Sequence, residues 1–202
     1  MNRFWMFAAV VSCAFAGNAA LSAGNAQNGA TKAQVCQACH GANGNSANPE
    51  WPSLAGLGAD YIAEQLQNFK DGKRVNAIMQ PMAAPLSTQD MQDLGAYFDT
   101  LANTGLEADP SYWQAGEALY RGGDKARGIP ACMACHGPTG AGNEPAKFPA
   151  LHGQHSVYIA KQLSAYADGS RPPGPGGIMP VIAKRLSPDD MRNLASYIQG
   201  LR

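Results

Sequence analysis

Cys36, Cys39 and His40 stand at positions i, i+3 and i+4, and Cys132, Cys135 and His136 repeat the arrangement 96 positions later. On a helix those three positions share a face. Two thiols and an imidazole on one face suit three kinds of chemistry. They can supply part of a zinc site, cycle as a redox dithiol, or attach a haem, the thiols adding to its vinyl groups and the imidazole ligating iron. A thioredoxin-like dithiol needs a βαβ setting, which this sequence lacks. A four-sulfur zinc site would leave the histidine after each second cysteine without a role, twice over. Two covalently bound haem groups account for all six residues.

The sixth ligand of each iron separates electron transfer from substrate chemistry. Met79 and Met179 occupy matching places, each seven residues before a Leu-Ser step, in what reads as a loop beside proline. Methionine there completes the iron's coordination and raises its potential, which suits an electron carrier. Met82 is a rival for the first site, but its counterpart is Ile182, so only position 79 serves both halves. Met91 and Met191 also pair, on what reads as the core stripe of a helix, where filling space explains them. His152 and His155 face Ala55 and Gly58 in the first half and so fall outside the repeated set. They read as surface or outer-sphere histidines with a possible influence on the second haem's pH response. Pro52 and Pro149 lie in matching P-x-L-x-G segments. These prolines either set a turn or offer a carbonyl that fixes the ligand imidazole.

The elements that must position these groups also come twice. "YIAEQLQNFKDGKR" (Tyr61–Arg74) returns as "YIAKQLSAYADGSR" (Tyr158–Arg171) at an offset of 97, and "IMQPMAAPLSTQDMQDLGAYF" returns as "IMPVIAKRLSPDDMRNLASYI" at 100. The extra residues fall in "RPPGPGGIM", where insertion costs little. Such self-similarity marks an internal duplication. Each repeat reads as helical, with apolar stripes at Ile62, Leu66 and Phe69 and at Ile159, Leu163 and Tyr166. Ser87 with Asp90 three positions on predicts a capped helix whose core face is Met91, Leu94, Phe98 and Leu101. Ser187 and Pro188 predict its twin, with Met191, Leu194, Ile198 and Leu201 inward. The reading is all-α, with domains at 24–102 and 111–202 and a linker at 103–110, Asp109-Pro110 opening the next helix.

Charged residues make up only 15% of the 202. No basic excess points to nucleic acid, and the apolar content is too high for a disordered chain. The opening "MNRFWMFAAVVSCAFAGNAALSAGNAQ" has a positive start, a short apolar run and small residues after it, the layout of a cleaved signal peptide over 1–23 and hence of export to the periplasm. Ala16 and Ala26 are alternative ends, and "VVSC" offers a lipoprotein box at Cys13. Removing the leader leaves four cysteines, all in the two motifs. Residues 24–102 carry 4 basic against 7 acidic groups, a balance of −3, and residues 111–202 carry 10 against 6, a balance of +4. Either these are solvated faces, or the two ends meet different partners.

With "CQACHG…PSLAG…YIAEQL…IMQPM" and "GIPACMACHG…PALHG…YIAKQL…GGIMP" in view, nearly all of the mature chain resembles the dihaem cytochrome c4 family. That resemblance implies two tandem class I cytochrome c domains related by a pseudo-twofold axis, with haem propionates near their interface. It implies iron ligands His40 with Met79 and His136 with Met179, and thioether links at Cys36, Cys39, Cys132 and Cys135. It also implies a periplasmic electron carrier, not an enzyme, between a membrane donor such as a cytochrome bc-type complex and a terminal oxidase. Peripheral contact with the membrane stays open. An electron-relay subunit of a larger redox complex and a dihaem peroxidase-like enzyme are the competing readings.

Overall fold

The computed structural model describes residues 23–202, so the leader, its alternative end at Ala16 and the Cys13 box lie outside the described residues. The first half runs α1 (Ala26–Lys32), α2 (Gln34–His40), α3 (Ala59–Lys70), α4 (Met79–Ala83) and α5 (Thr88–Asp99). The second runs α6 (Trp113–Gly122), α7 (Met133–His136), α8 (Ser156–Asp168), α9 (Ile178–Ala183) and α10 (Pro188–Gln199). Among the described residues there is no strand, only isolated bridges at Asp124–Ile129 and Asn143–Phe148.

Each half is a pair of crossed terminal helices with a third against them: α1 and α3 pack on α5, as α6 and α8 pack on α10. The expected stripes line the two cores, with Ile62, Leu94 and Phe98 buried in the first and Ile159, Leu163, Leu194, Ile198 and Leu201 in the second. The crossings are close because one glycine stands at each. A Cβ on Gly29 would lie 2.0 Å from the Asp93 carbonyl oxygen, and one on Gly116 would lie 2.0 Å from that of Asn193. Overpacking a core of this kind costs about 1–3 kcal/mol. Gly116→Ala is therefore expected to lower the thermal midpoint measurably, and an unchanged midpoint would contradict the close crossing.

Both predicted capping boxes form. The Ser87 hydroxyl accepts from the Asp90 amide at 3.1 Å while Asp90 accepts from the Ser87 amide at 2.8 Å, and Ser187 and Asp190 do the same. The Ser87 hydroxyl and amide, then Lys32, hold the Asp90 carboxyl down at about 2. Arg127 first, then Ser187, holds Asp190 at about 2. A depressed carboxyl stabilises the fold above its unfolded value of about 4 and loses that contribution as pH falls through its folded value. Acid titration should thus weaken the protein between about pH 4 and 2, and Asp190→Asn should flatten part of that loss. An identical acid profile in the variant would count against it.

Two sequence expectations shift. The helix expected to open at Asp109-Pro110 starts at Trp113, because the Asp109 side chain takes the Ser111 amide at 2.8 Å and its carbonyl takes the Tyr112 and Trp113 amides, forming a turn first. The segments bearing Met79 and Met179 are short helices, not loops. Asn76 opens α4 by accepting from the Ile78 and Met79 amides at 3.0 and 2.9 Å. Pro81 and Pro180 fall in the first turn, where an amide needs no intrahelical partner.

The halves meet through an exchange-symmetric polar network. Arg74 donates to Gln65 of its own half and to Tyr158 and Gln162 of the other, at 2.8, 2.8 and 2.7 Å. Arg171 mirrors this, donating to Gln162 of its own half and to Tyr61 and Gln65 across the interface. Reciprocal contacts of this kind are the signature of a twofold relation. Each guanidinium also covers an aromatic face, Arg74 over Phe69 at 4.6 Å and Arg171 over Tyr166 at 4.5 Å. The segment 103–110 is a strap rather than a free linker. Asn103 donates to the His152 carbonyl at 3.2 Å, the Thr104 amide to Asn45 at 2.9 Å, and the Asp109 amide to Ser196 at 2.9 Å.

Candidate haem-attachment sites

Helix α2 carries Cys36, Cys39 and His40 on successive turns of one face. In the second half the His136 amide bonds the Cys132 carbonyl at 3.0 Å, so Cys132 through His136 form one helical turn as well. Both helices stop at glycines with positive φ, Gly41 at 84° and Gly137 at 79°, which turn the chain away right behind the histidine. Cys36 packs against the first core and Cys132 against the second, where Met179 also lies.

The two histidines are buried and identically held. His40 Nδ1 lies 2.8 Å from the Pro52 carbonyl oxygen, and His136 Nδ1 lies 2.9 Å from that of Pro149. A carbonyl can only accept, so Nδ1 carries the proton in both rings and Nε2 keeps its lone pair. Burial, against the opposing effect of the carbonyl, pushes both imidazoles below their ordinary value. Neutral imidazole with an outward Nε2 is the ligand form. Of the two readings of Pro52 and Pro149, the carbonyl bond is the one seen. Tyr120, fully buried, donates to the Gly137 carbonyl at 2.7 Å and fixes the turn behind His136.

The four cysteines of the two motifs are partly buried and form no disulfide. Burial pushes Cys36 up and Cys132 up to about 11. Among the described residues no three histidine, cysteine or acidic side chains gather as a metal cage. Two thiols and an oriented imidazole beside an apolar core fit a covalently bound haem in each half. When bound, the haem supplies one reversible electron per iron.

The methionines differ in exposure. Met79 is half-buried at the start of α4, which packs on α3, whereas Met82 is 37% exposed. Met179 is half-buried on α9 against α8. Met91 and Met191 are core residues, as expected. His155 is no surface residue. It is buried, and its Nε2 donates to the Ser46 carbonyl of the first half at 2.8 Å. His152 is half-buried, with Nδ1 at 3.1 Å from the Gly140 carbonyl. Sequence reasoning also passed over Gln154, whose amide pairs with the Ser53 backbone across the interface. The signal available was that Gln154 departs from the repeat, facing Leu57 in the first half.

Among the described residues no helix is long and apolar enough to cross a membrane. The family model described as cytochrome c matches residues 26–102 and again 114–202. A cytochrome c4 of Pseudomonas aeruginosa is 48% identical over 181 residues, covering 89% of this chain and 90% of that protein. A thiosulfate dehydrogenase electron acceptor of Thiomonas intermedia is 42% identical over 151 residues, covering 73% of this chain and 69% of that protein. The crystal structure of reduced recombinant cytochrome c4 from Pseudomonas stutzeri superposes with a TM-score of 0.86 at 45% identity, covering 89% of this chain and all of that one. With two helical cytochrome c domains in tandem, each bearing a cysteine pair for a covalent haem, the chain belongs to the dihaem cytochrome c4 family of electron carriers.

Proposed function

We propose that the protein is exported under its signal peptide (1–23) to the periplasm and carries electrons from a membrane quinol-oxidising complex of cytochrome bc type to a terminal oxidase. In this reading the domains are 24–102 and 111–202, joined by 103–110. Cys36, Cys39, Cys132 and Cys135 hold the haems, and the irons are ligated by His40 with Met79 and His136 with Met179. One observation carries it: the same buried histidine, aimed by the same proline carbonyl, occurs twice, each time with a helix-borne methionine at the matching position. Two irons with both axial positions filled store and pass electrons and leave no open site for a substrate. The greater exposure of Met82 supports Met79 as the first methionine ligand.

The opposed charges of the halves support docking of donor and acceptor at different ends. Near the methionine helix of the second half stand Lys184 and Arg185, where the first half has Ala84 and Pro85. Steering by such charges weakens with salt. Purified holoprotein should be reduced by quinol-treated membranes and reoxidised by oxidase-containing membranes, with both rates falling as ionic strength rises. Failure of membranes to reduce it, or rates indifferent to salt, would contradict the reading. The likeness to a thiosulfate dehydrogenase electron acceptor favours one second role, as the relay partner of a sulfur-oxidising enzyme. Reduction by such an enzyme and its substrate, but not by quinol-treated membranes, would select it.

A further inference from the structure

The peptide unit that aims the first histidine is gripped from the other half of the molecule. The carbonyl of Pro52 accepts from His40 Nδ1 at 2.8 Å, and the amide of the same peptide, that of Ser53, donates to Gln154 Oε1 at 2.9 Å. Gln154 Nε2 donates in turn to the Ser53 carbonyl at 2.8 Å. These two bonds fix the orientation of the Gln154 amide, since a flip would set donor against donor. Gln154 and Ser53 are each 3% exposed, so both bonds lie out of water. Gly153, at φ 63°, turns the chain into this contact, and a Cβ there would lie 2.2 Å from Asn103 Oδ1. His155 extends the brace by donating to the Ser46 carbonyl, while the Ser46 hydroxyl donates to the Cys39 carbonyl at 3.2 Å.

The second half has no such grip. The peptide that aims His136 is Pro149–Ala150, and the Ala150 amide has no hydrogen-bond partner among the described residues, although Ala150 is buried. The two histidine environments, alike at their first contact, therefore differ at the next. A peptide is a conjugated unit, so a bond at its N–H draws charge onto its oxygen and strengthens that oxygen as an acceptor. A stronger acceptor at Nδ1–H makes the imidazole a stronger donor at Nε2. Stronger donation favours the oxidised iron, and hydrogen bonding behind a ligand is one of the protein's means of setting potential.

We propose that Gln154 is a positioning residue for the opposite domain: it holds and polarises the Pro52–Ser53 peptide behind His40, and so lowers the first haem's potential relative to the second's. This rests on reading His40 as an iron ligand. The test uses full-length holoprotein with Gln154→Met, which keeps shape but offers no amide, and Gln154→Glu, which keeps an acceptor for the Ser53 amide. Both potentials are measured by spectroelectrochemistry, and the axial histidine protons by NMR of the reduced protein. In Gln154→Met the first haem's reduction equilibrium is expected to rise about threefold, or about 28 mV at 59 mV per tenfold. The His40 Nδ1 proton should move to higher field, while His136 and its haem stay put.

Gln154→Glu should keep the His40 proton at low field and lower the first potential. If Gln154→Met does not accumulate, Gln154→Glu decides alone, and an unmoved first potential would overturn the proposal. Equal shifts at both haems would also overturn it, since they would mean general loosening. If the His40 ring protons of the native reduced protein lack the high-field shift of an axial ligand, the ligand reading itself falls. If that shift is present and the variants move nothing, only the role of Gln154 falls.

Discussion

Met179→Ala is expected to abolish the absorption band that arises from sulfur-to-ferric-iron charge transfer at the second haem and to lower that haem's potential by on the order of a hundred millivolts or more, within the span that axial ligation controls. The first haem should keep both its band and its potential. Met79→Ala should produce the mirror result, and Met82→Ala should leave the spectrum unchanged. The physical ground is position as much as residue type. Met79 and Met179 stand in the first turn of matching short helices against α3 and α8, half-buried, while Met82 is the more exposed of the first pair. Loss of the band in Met82→Ala with retention in Met79→Ala would exchange the ligand assignment in the first half.

Arg171→Ala should have the largest effect on stability of any single change at the domain interface. The residue is only 6% exposed, and its guanidinium donates to Gln162, Gln65 and Tyr61, two of them in the other half. Hydrogen bonds to charged groups contribute about 1.5–3 kcal/mol each, and a partner left buried and unpaired adds to the loss. A net cost of about 3 kcal/mol is expected, lowering the thermal midpoint by roughly 6–12 °C for a chain of this size. Arg171→Lys should not restore it, because one ammonium cannot span the fork that reaches three partners. Arg192, exposed, paired with Asp189 at 3.1 Å and lying over the Tyr112 ring of its own half at 4.5 Å, makes no contact across the interface among the described residues and is the control, expected to change little when replaced. A midpoint unmoved by Arg171→Ala would mean that the halves are held by other contacts.

Local features of this fold could be read from the chain. Capping boxes at Ser87 and Ser187 declare themselves in four residues, and the stripes through Leu94 and Leu194 in a dozen, because both depend on helix period alone. The proline carbonyls behind His40 and His136 were legible as one of two readings, since the P-x-L-x-G segments recur 12 and 13 residues after the motif histidine. What stayed hidden is pairing between the halves. Arg74 meets Tyr158 at a separation of 84 residues and Arg171 meets Tyr61 at 110, and no local pattern encodes such a meeting. The repeated arginine after each "DG" was the clue, but it reads equally as a solvated charge. Gln154 was harder still, because its role comes from breaking the repeat. Matching places in the repeat single out Met79 and Met179, but their helical setting is hidden, since Pro81 and Pro180 suggest a loop whereas both fall in the first turn of a short helix that Asn76 opens in the first half.

If this chain holds both irons on both sides, as proposed, they carry electrons without binding substrate or added ligand. Exposing the fully reduced holoprotein to carbon monoxide and recording its absorption spectrum shows whether either sixth position is open. No change is expected at either haem in the native protein, and binding is expected at one haem each in Met79→Ala and Met179→Ala. Ready binding by the native protein would show a labile sixth position and contradict the proposed ligation.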